Sequence, residues 1–416
     1  MSLRKPNWRS EELSFEQVVE KYPTVPKLVI LKTDLQLRGY VISDAARKVY
    51  EKGNFQRLEE GIFNKQTITG PRGLLLRDGT SVVGAYTAND GIRDHYVVDV
   101  ADGRLVITDE GRVIEEVEFW EKTDFYDKKT KKGTPYPELI TCRPQRLDFS
   151  ISRICHFWDE PGGGCKYCPV GINGINACKK LGIPELYDFD EIAEAIREAV
   201  KEQGRYTMIC VTGGTILSGK KVLDDEVDEY IKAFKKIKEI FNTDKLKTQV
   251  ITTAFDKEQL QRLKDETGII AYTTDIEVLN KEAFEWICPG KAKYIGYDEW
   301  KKRLYDAVDV FGRGNVNTGI VGGVELAQPN GFKSEEEALK AVLSEAEELA
   351  QHGVGVASCV WFVDGTVFKN QIPPSLDYYV ALAKGFDDLR VKYDLEYYFD
   401  DYRRCGNHSS TDLARI

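Results

Sequence analysis

No stretch of this chain approaches the ~18–20 uninterrupted apolar residues that a membrane-spanning helix needs, so a membrane role is not expected. The opening Met1-Ser2-Leu3-Arg4-Lys5-Pro6 runs into polar sequence with no apolar core, so no secretory leader is expected and the cytoplasm is the expected compartment. Positive charge is not in excess either. Lys and Arg number 58 against 68 Asp and Glu, a formal charge of −10, which argues against a nucleic-acid or anionic-membrane partner. A disulfide framework is also missing. The nine cysteines are odd in number and unevenly spaced, with three in one cluster, so metal ligation or redox chemistry is the better expectation.

What remains is the composition of a globular protein, 42% hydrophobic and 30% charged, and 416 residues suffice for one large domain and a smaller one. Residues 1–25 read as a polar lead-in. Residues 26–140 alternate β-rich runs (Leu28–Leu31, Gly73–Leu76, Tyr96–Val100) with turns, and Asp102-Gly103 and Glu110-Gly111 read as hairpin turns. We therefore expect residues 1–140 to form a lead-in and a small β-rich accessory domain, with Pro135 and Pro137 in a linker. From about residue 145 strands and helices alternate. Strands are expected at Phe149–Ile154, Tyr206–Val211, Thr248–Thr253, Ile269–Thr274, Val316–Val321 and Gly355–Val360, with a weaker seventh at Leu395–Phe399. Ile192, Ile196 and Val200 share one helix face, and Ser334 with Glu337 opens another helix. This α/β rhythm predicts an incomplete (β/α)6–7 parallel barrel over residues 141–416, with its chemistry at the carboxyl ends of the strands.

The first barrel strand runs into Cys155, then Cys165 and Cys168, spaced C-x9-C-x2-C with Gly162–Gly164 between. Thiolates at this spacing suit either zinc, with adjacent His156 as a fourth ligand, or an iron–sulfur cubane with one open iron. The arrangement resembles the radical S-adenosylmethionine (SAM) enzymes. That family carries three cysteines on this loop, commonly as C-x3-C-x2-C, with an aromatic residue before the third, here Tyr167. The long first gap departs from the family pattern.

The resemblance implies a [4Fe–4S] cluster on Cys155, Cys165 and Cys168, whose open iron is chelated by SAM. It implies that Gly213 and Gly214, in Thr212-Gly213-Gly214-Thr215, stand at the family's Gly-Gly-Glu motif, with Thr215 in place of the acid. It likewise implies that Glu277 is a SAM-binding acid, and that Ile320 and Gly322, in Thr318–Glu325, contact the adenine side, with Glu325 structural. Ile287-Cys288-Pro289-Gly290-Lys291 and Phe311–Gly314 resemble segments of the biotin-synthase-like branch. Cys210 falls near a cysteine that holds an auxiliary cluster in that branch, but the further cysteines are missing from the strands that would carry them.

In the tail, Tyr402–Ser410, Cys405 and Arg403 are candidate active-site residues. Cys405, His408 and Cys359 are candidates for an auxiliary cluster or metal, and Arg403 or Arg404 for a substrate carboxylate. Loss of the tail is expected to leave the barrel folded.

The implied reaction is one-electron reductive cleavage of SAM to a 5′-deoxyadenosyl radical. This radical would functionalise a C–H bond of a small molecule or cofactor precursor, most naturally by sulfur insertion of the biotin or lipoyl kind. Radical methylation, fragmentation or rearrangement is the alternative. An iron–sulfur carrier or a structural zinc protein is the non-enzyme alternative. The implied partners are an electron donor such as ferredoxin or flavodoxin, and a second protein.

Overall fold

The computed structural model describes residues 8–58, 69–168, 178, 180, 182–243, 248–363, 367–396 and 406–414. Among them, no helix is long and apolar enough to cross a membrane.

The N-terminal part departs first from expectation. Trp8–Glu11 and Phe15–Lys21 are helical, the second opened by a capping box of Ser14 and Gln17. The apolar run Leu28–Leu31, expected as a strand, lies inside a helix, Lys27–Arg38. Pro26 precedes the helix and Gly39, at φ 73°, ends it. Almost the whole helix is buried, Lys32, Asp34 and Arg38 included. A helix buried all round shows no amphipathic period, so its apolar run mimicked a strand.

Around it, β1 (Tyr40–Ile42), β2 (Gly73–Leu76), β3 (Ser81–Val83), β4 (Tyr96–Ala101), β5 (Arg104–Asp109) and β6 (Arg112–Phe119) form a six-stranded sheet in the order β1-β4-β5-β6-β2-β3. Asp102-Gly103 and Glu110-Gly111 make the expected hairpin turns, all four at positive φ as a two-residue turn of this type requires. Pro135 precedes, and Pro137 lies within, a single 3-10 turn, Tyr136–Glu138, in which Tyr136 is buried.

The second sheet runs β13-β12-β11-β10-β9-β8-β7. Its strands are β7 (Ile140–Arg143), β8 (Arg146–Ser150), β9 (Met208–Thr212), β10 (Gln249–Thr252), β11 (Tyr272–Thr274), β12 (Val316–Gly322) and β13 (Val354–Val360). From β8 to β13 every pairing is parallel, which gives the six strands expected of the incomplete barrel. β7 is an antiparallel edge that the sequence pattern did not reveal. Helices Phe189–Ala199, Asp224–Phe241, Lys257–Thr267, Tyr297–Phe311 and Glu335–Gln351 make the crossovers, and Leu376–Lys392 follows β13. Ser334 caps its helix as the pattern predicted, and Asp188 caps Phe189–Ala199. The weaker seventh strand has no counterpart at Leu395, and residues 397–399 lie outside the described residues.

The two sheets share one hydrophobic core. Lys21 pairs with Asp377 at 2.8 Å, and Arg93 donates to the Pro373 and Pro374 carbonyls, so the N-terminal helices are fastened to the helix after β13.

Candidate active site

Beyond β8 the chain is turned by its own hydroxyls. Ser150 Oγ donates to the Ser152 carbonyl and Ser152 Oγ to that of Ile154, at 2.7 and 2.8 Å. These bonds deliver Cys155 to the carboxyl end of the sheet, where a parallel barrel keeps its chemistry. A 3-10 turn, His156–Trp158, follows. Of the three glycines Gly162–Gly164 between Cys155 and Cys165, only Gly162 has positive φ, 79°, where glycine bends the loop most easily. Gly163 and Gly164 serve close approach instead: a Cβ would collide with the Phe157 carbonyl at one and with the Trp158 ring at the other. The far side of the loop is fastened to Ile287–Lys291. Lys166 N–H donates to the Ile287 carbonyl at 3.0 Å, and Gly290 N–H to that of Gly163 at 2.8 Å.

Folded this way, Cys155, Cys165 and Cys168 line one cavity of about 230 Å³ together with Tyr167, Gly213, Gly214, Thr215, Asp275, Glu277 and Lys291. The structure thus gathers the expected cysteines, both strand-end glycines, Tyr167 and Glu277. Ile320 and Gly322 are not brought to this cavity. Ile320 is buried and bridges Glu277 through the backbone. A Cβ on Gly322 would meet Leu382 at 2.9 Å, so this glycine admits the helix Leu376–Lys392. Glu325 accepts from the Gly323 N–H and the Tyr378 hydroxyl, an internal role that matches its reading as structural.

Two charges dominate the cavity floor. Glu277 sits in left-handed backbone, φ 74°, which few non-glycine residues adopt. It is held there by its N–H on the Gly319 carbonyl and by Val321 N–H on its own carbonyl, each at 3.0 Å. Lys291 Nζ lies 2.9 Å from the Glu277 carboxylate, donates to the Asp275 carbonyl at 2.6 Å, and stands over the Trp300 ring. Burial pushes the Glu277 carboxyl above its ordinary range against the pull of Lys291. Burial works against the Lys291 charge, yet Glu277 and the nearby thiols carry its pKa above the usual value.

The thiols differ among themselves. The buried Cys288 thiol donates to Cys165 and holds it below the ordinary thiol range despite burial, with Lys291 assisting. Burial lifts Cys155 to about 11. Cys288 carries no local signal for this contact. Only the fold brings it against Cys165, since 123 positions separate the two.

Glu226 is a further residue the sequence did not reveal. It lies in the first turn of the helix Asp224–Phe241, where acids are common and carry no special signal. Its buried carboxylate accepts from Ile216 N–H, Thr253 N–H and Thr253 Oγ, each at 2.9 Å, and so ties the end of β9 to the end of β10.

The candidate tail residues divide. Cys359 and His408 lie directly opposite each other in an antiparallel bridge. Arg403, Arg404 and Cys405 lie outside the described residues. Residues 406–414 are docked against the helix Lys27–Arg38. Asp412 meets Lys32 at 2.7 Å, with neither side chain exposed, and Ser409 meets Thr33 at 2.6 Å. The end of the tail thus supplies the acid for a buried lysine of the N-terminal part, a contact that the expectation of a barrel folded without its tail did not foresee.

The donor set fits an iron–sulfur cluster better than a zinc ion. His156, the candidate fourth zinc ligand, accepts Leu217 N–H at Nδ1 and does not line the cysteine cavity. Among the described residues no group of three His, Cys, Asp or Glu side chains could hold a single metal ion. Three thiolates spread around a cavity suit a cluster that takes each on a separate iron.

Residues 151–328 match the Radical SAM superfamily. The bacteriochlorophyllide c C-7(1)-hydroxylase of Chlorobaculum limnaeum is 24% identical over 245 residues, 56% of this chain and 57% of that protein. The chain thus spans little more than half the length of that relative. Among solved structures, a radical SAM methyltransferase from Sphaerobacter thermophilus aligns over 96% of this chain and 98% of its own, with TM-score 0.41 and 13% identity. Methylornithine synthase aligns over 61% and 70%, with TM-score 0.39 and 13% identity.

Proposed function

We propose that this chain is a radical SAM enzyme, on the match of residues 151–328 to that superfamily, and that it functionalises a C–H bond of a small molecule at the cavity of Cys155, Cys165 and Cys168. The observation that carries this reading is the convergence of those three thiols, Gly213, Gly214 and Glu277 on one cavity. Cys155, Cys165 and Cys168 would hold a [4Fe–4S] cluster, with SAM beside it. When bound, the two together supply hydrogen-atom abstraction from an unactivated C–H bond.

The chain's own part is to bind, orient and exclude water. Gly213 and Gly214 let the end of β9 close against the cysteine loop: a Cβ on Gly213 would meet Ile151 at 2.5 Å, and one on Gly214 would meet the Cys155 Cβ at 2.7 Å. Tyr167, Phe157 and Trp158 wall the cavity with rings, which limits solvent near a reactive centre. The Glu277–Lys291 pair presents fixed charges of both signs to a zwitterionic ligand such as SAM. A low-potential one-electron donor, ferredoxin or flavodoxin in kind, is the partner that this chemistry requires.

Within this class, the hydroxylase relative supports C–H functionalisation in general. Sulfur insertion rests on the resemblance of Ile287–Lys291 and Phe311–Gly314, and the first of these segments anchors the cysteine loop here. Methylation, fragmentation and rearrangement fit the same cavity. Residues 1–140 are proposed as an accessory unit to the barrel of residues 141–416.

The test is anaerobic reconstitution with iron and sulfide counting, beside a variant with Ala at all three cysteines. The wild type should take up four irons per chain and cleave SAM on reduction, and the variant should do neither. Stoichiometric zinc on these thiols in anaerobically prepared native protein would overturn the reading.

A further inference from the structure

The buried carboxylate of Glu226 does not stand alone. Its Oε2 accepts from Thr253 Oγ at 2.9 Å, and Thr253 Oγ lies 2.8 Å from Thr215 Oγ. Thr215 in turn packs on the first cluster cysteine. The neighbouring Gly214 has no room for a Cβ beside that of Cys155, His156 N–H donates to the Thr215 carbonyl at 2.9 Å, and Thr215 lines the same cavity as Cys155, where its N–H and hydroxyl favour the thiolate. A continuous line of hydrogen-bonding atoms thus runs from a buried acid through two hydroxyls to a proposed cluster ligand. Both threonines line the cavity, which opens a path for a proton to the acid.

We propose that Glu226, Thr253 and Thr215 form a hydrogen-bond relay that sets the donor reaching the Cys155 sulfur and couples reduction of the cluster to uptake of one proton at Glu226. The proposal rests on the cluster reading above. It makes Glu226 and Thr253 positioning residues, since neither touches the cluster.

The argument follows from counting hydroxyl protons, because each threonine has one. When Glu226 is a carboxylate, Thr253 donates to it and Thr215 donates to Thr253. The Cys155 sulfur then keeps only backbone donors, from Phe157 and Thr215. When Glu226 carries a proton, the line reverses. Glu226 Oε2 donates to Thr253, Thr253 to Thr215, and the Thr215 hydroxyl is released to the sulfur. Ile216 N–H and Thr253 N–H remain satisfied in both states, one on each carboxyl oxygen.

A hydrogen bond to a ligand sulfur favours the electron-rich reduced state, so the proton and the electron favour each other, and by reciprocity each raises the affinity for the other. The electron comes from the one-electron donor and the proton from solvent. No other bond forms or breaks, and reoxidation returns both.

The surroundings permit the exchange. Burial pushes the Glu226 carboxyl up to about 7 against the pull of its three donors. The groups facing it are Lys291, which favours the carboxylate, and the buried hydroxyls of Tyr230 on its own helix and Tyr272 on β11. Burial holds both tyrosines above their ordinary range, so neither competes for the proton near neutrality.

The experiment is a redox titration of the anaerobically reconstituted full chain, followed by the spectrum of the reduced cluster across neutral pH. Wild type, Thr253→Val, Thr215→Val and Thr215→Ser are compared at matched iron and sulfide content. In the wild type the reduction equilibrium should change with pH by up to tenfold per unit, about 59 mV for one electron. Thr253→Val and Thr215→Val should lose that dependence and be harder to reduce, and Thr215→Ser should keep it. A residue that merely supports the fold would move melting temperature without removing the pH dependence. A fully loaded Thr253→Val protein whose potential tracks pH as the wild type does would overturn the relay alone. Wild-type protein that takes up no iron and sulfide would overturn the cluster reading itself.

Discussion

Glu277 and Lys291 are bound to each other across 2.9 Å, and each is also bound to the backbone of the strand ends that carry the site. The pair is therefore a piece of the cavity floor as well as a pair of charges. Replacing one member of a buried pair strands the other, which costs far more than the pair itself contributes.

Glu277→Gln should accordingly leave the iron count intact, since the residue is no ligand, and weaken SAM binding by roughly 10–100-fold, the usual scale for groups that orient a metal site. Equilibrium binding of SAM to the reconstituted protein measures this. An unchanged affinity would remove Glu277 from the SAM site.

Gly164→Ala and Gly162→Ala make a matched pair. At Gly164 a side chain would strike the Trp158 ring, while at Gly162 nothing lies within 4 Å and only the positive φ opposes it. The first should cost about 1–3 kcal/mol by overpacking and displace the loop, lowering iron content. The second should cost about 1–2 kcal/mol, the strain of a left-handed residue, and leave iron content unchanged. Equal iron loss in both variants would show that the Trp158 contact does not hold the loop.

Asp412→Ala should destabilise the protein by about 3–5 kcal/mol, because it takes from the buried Lys32 the acid 2.7 Å from its Nζ. The double variant Lys32→Met, Asp412→Leu should recover most of that loss. Urea unfolding of the three proteins checks it, and a single variant within about 1 kcal/mol of wild type would place water beside Lys32.

Acid should loosen the N-terminal part in a defined window. Burial works to raise the Asp109 carboxyl, but Arg38 and Arg9 outweigh it and bring it down to about 2. A depressed carboxyl stabilises the fold above its ordinary value near 3.8 and loses that contribution as pH falls toward about 2. The wild type should lose stability across this window, and Asp109→Asn, weaker at neutral pH, should lose less. Denaturant midpoints at the two ends of the window decide it. A parallel fall in both proteins would assign the acid sensitivity to other carboxylates.

The barrel was legible because each parallel strand is followed by a helix with a clear apolar stripe, as at Ile192 and Ile196. β7 was not, because four residues at an antiparallel edge, joined to β8 by the Pro144-Gln145 turn, resemble any connecting segment. The helix Lys27–Arg38 hid for the opposite reason: burial on every side erased its period, and the acid that neutralises Lys32 lies far along the chain. The cysteine ligands announced themselves by local spacing. Cys288 and Glu226 did not, since their partners are assembled by strand order, which no local pattern encodes.

The bond between Lys32 and Asp412 also bears on the order of events during synthesis. Chains are made from the amino end, and early segments ordinarily fold as they emerge. Here the helix Lys27–Arg38 cannot bury its lysine against an acid until residue 412 has left the ribosome, 380 positions later. The first long helix of the chain is thus among the last to be sealed. Its apolar side chains can meet Phe15–Lys21 and Ser81–Val83 early, but a chain that lacks Asp412 holds Lys32 in this helix without that ion pair.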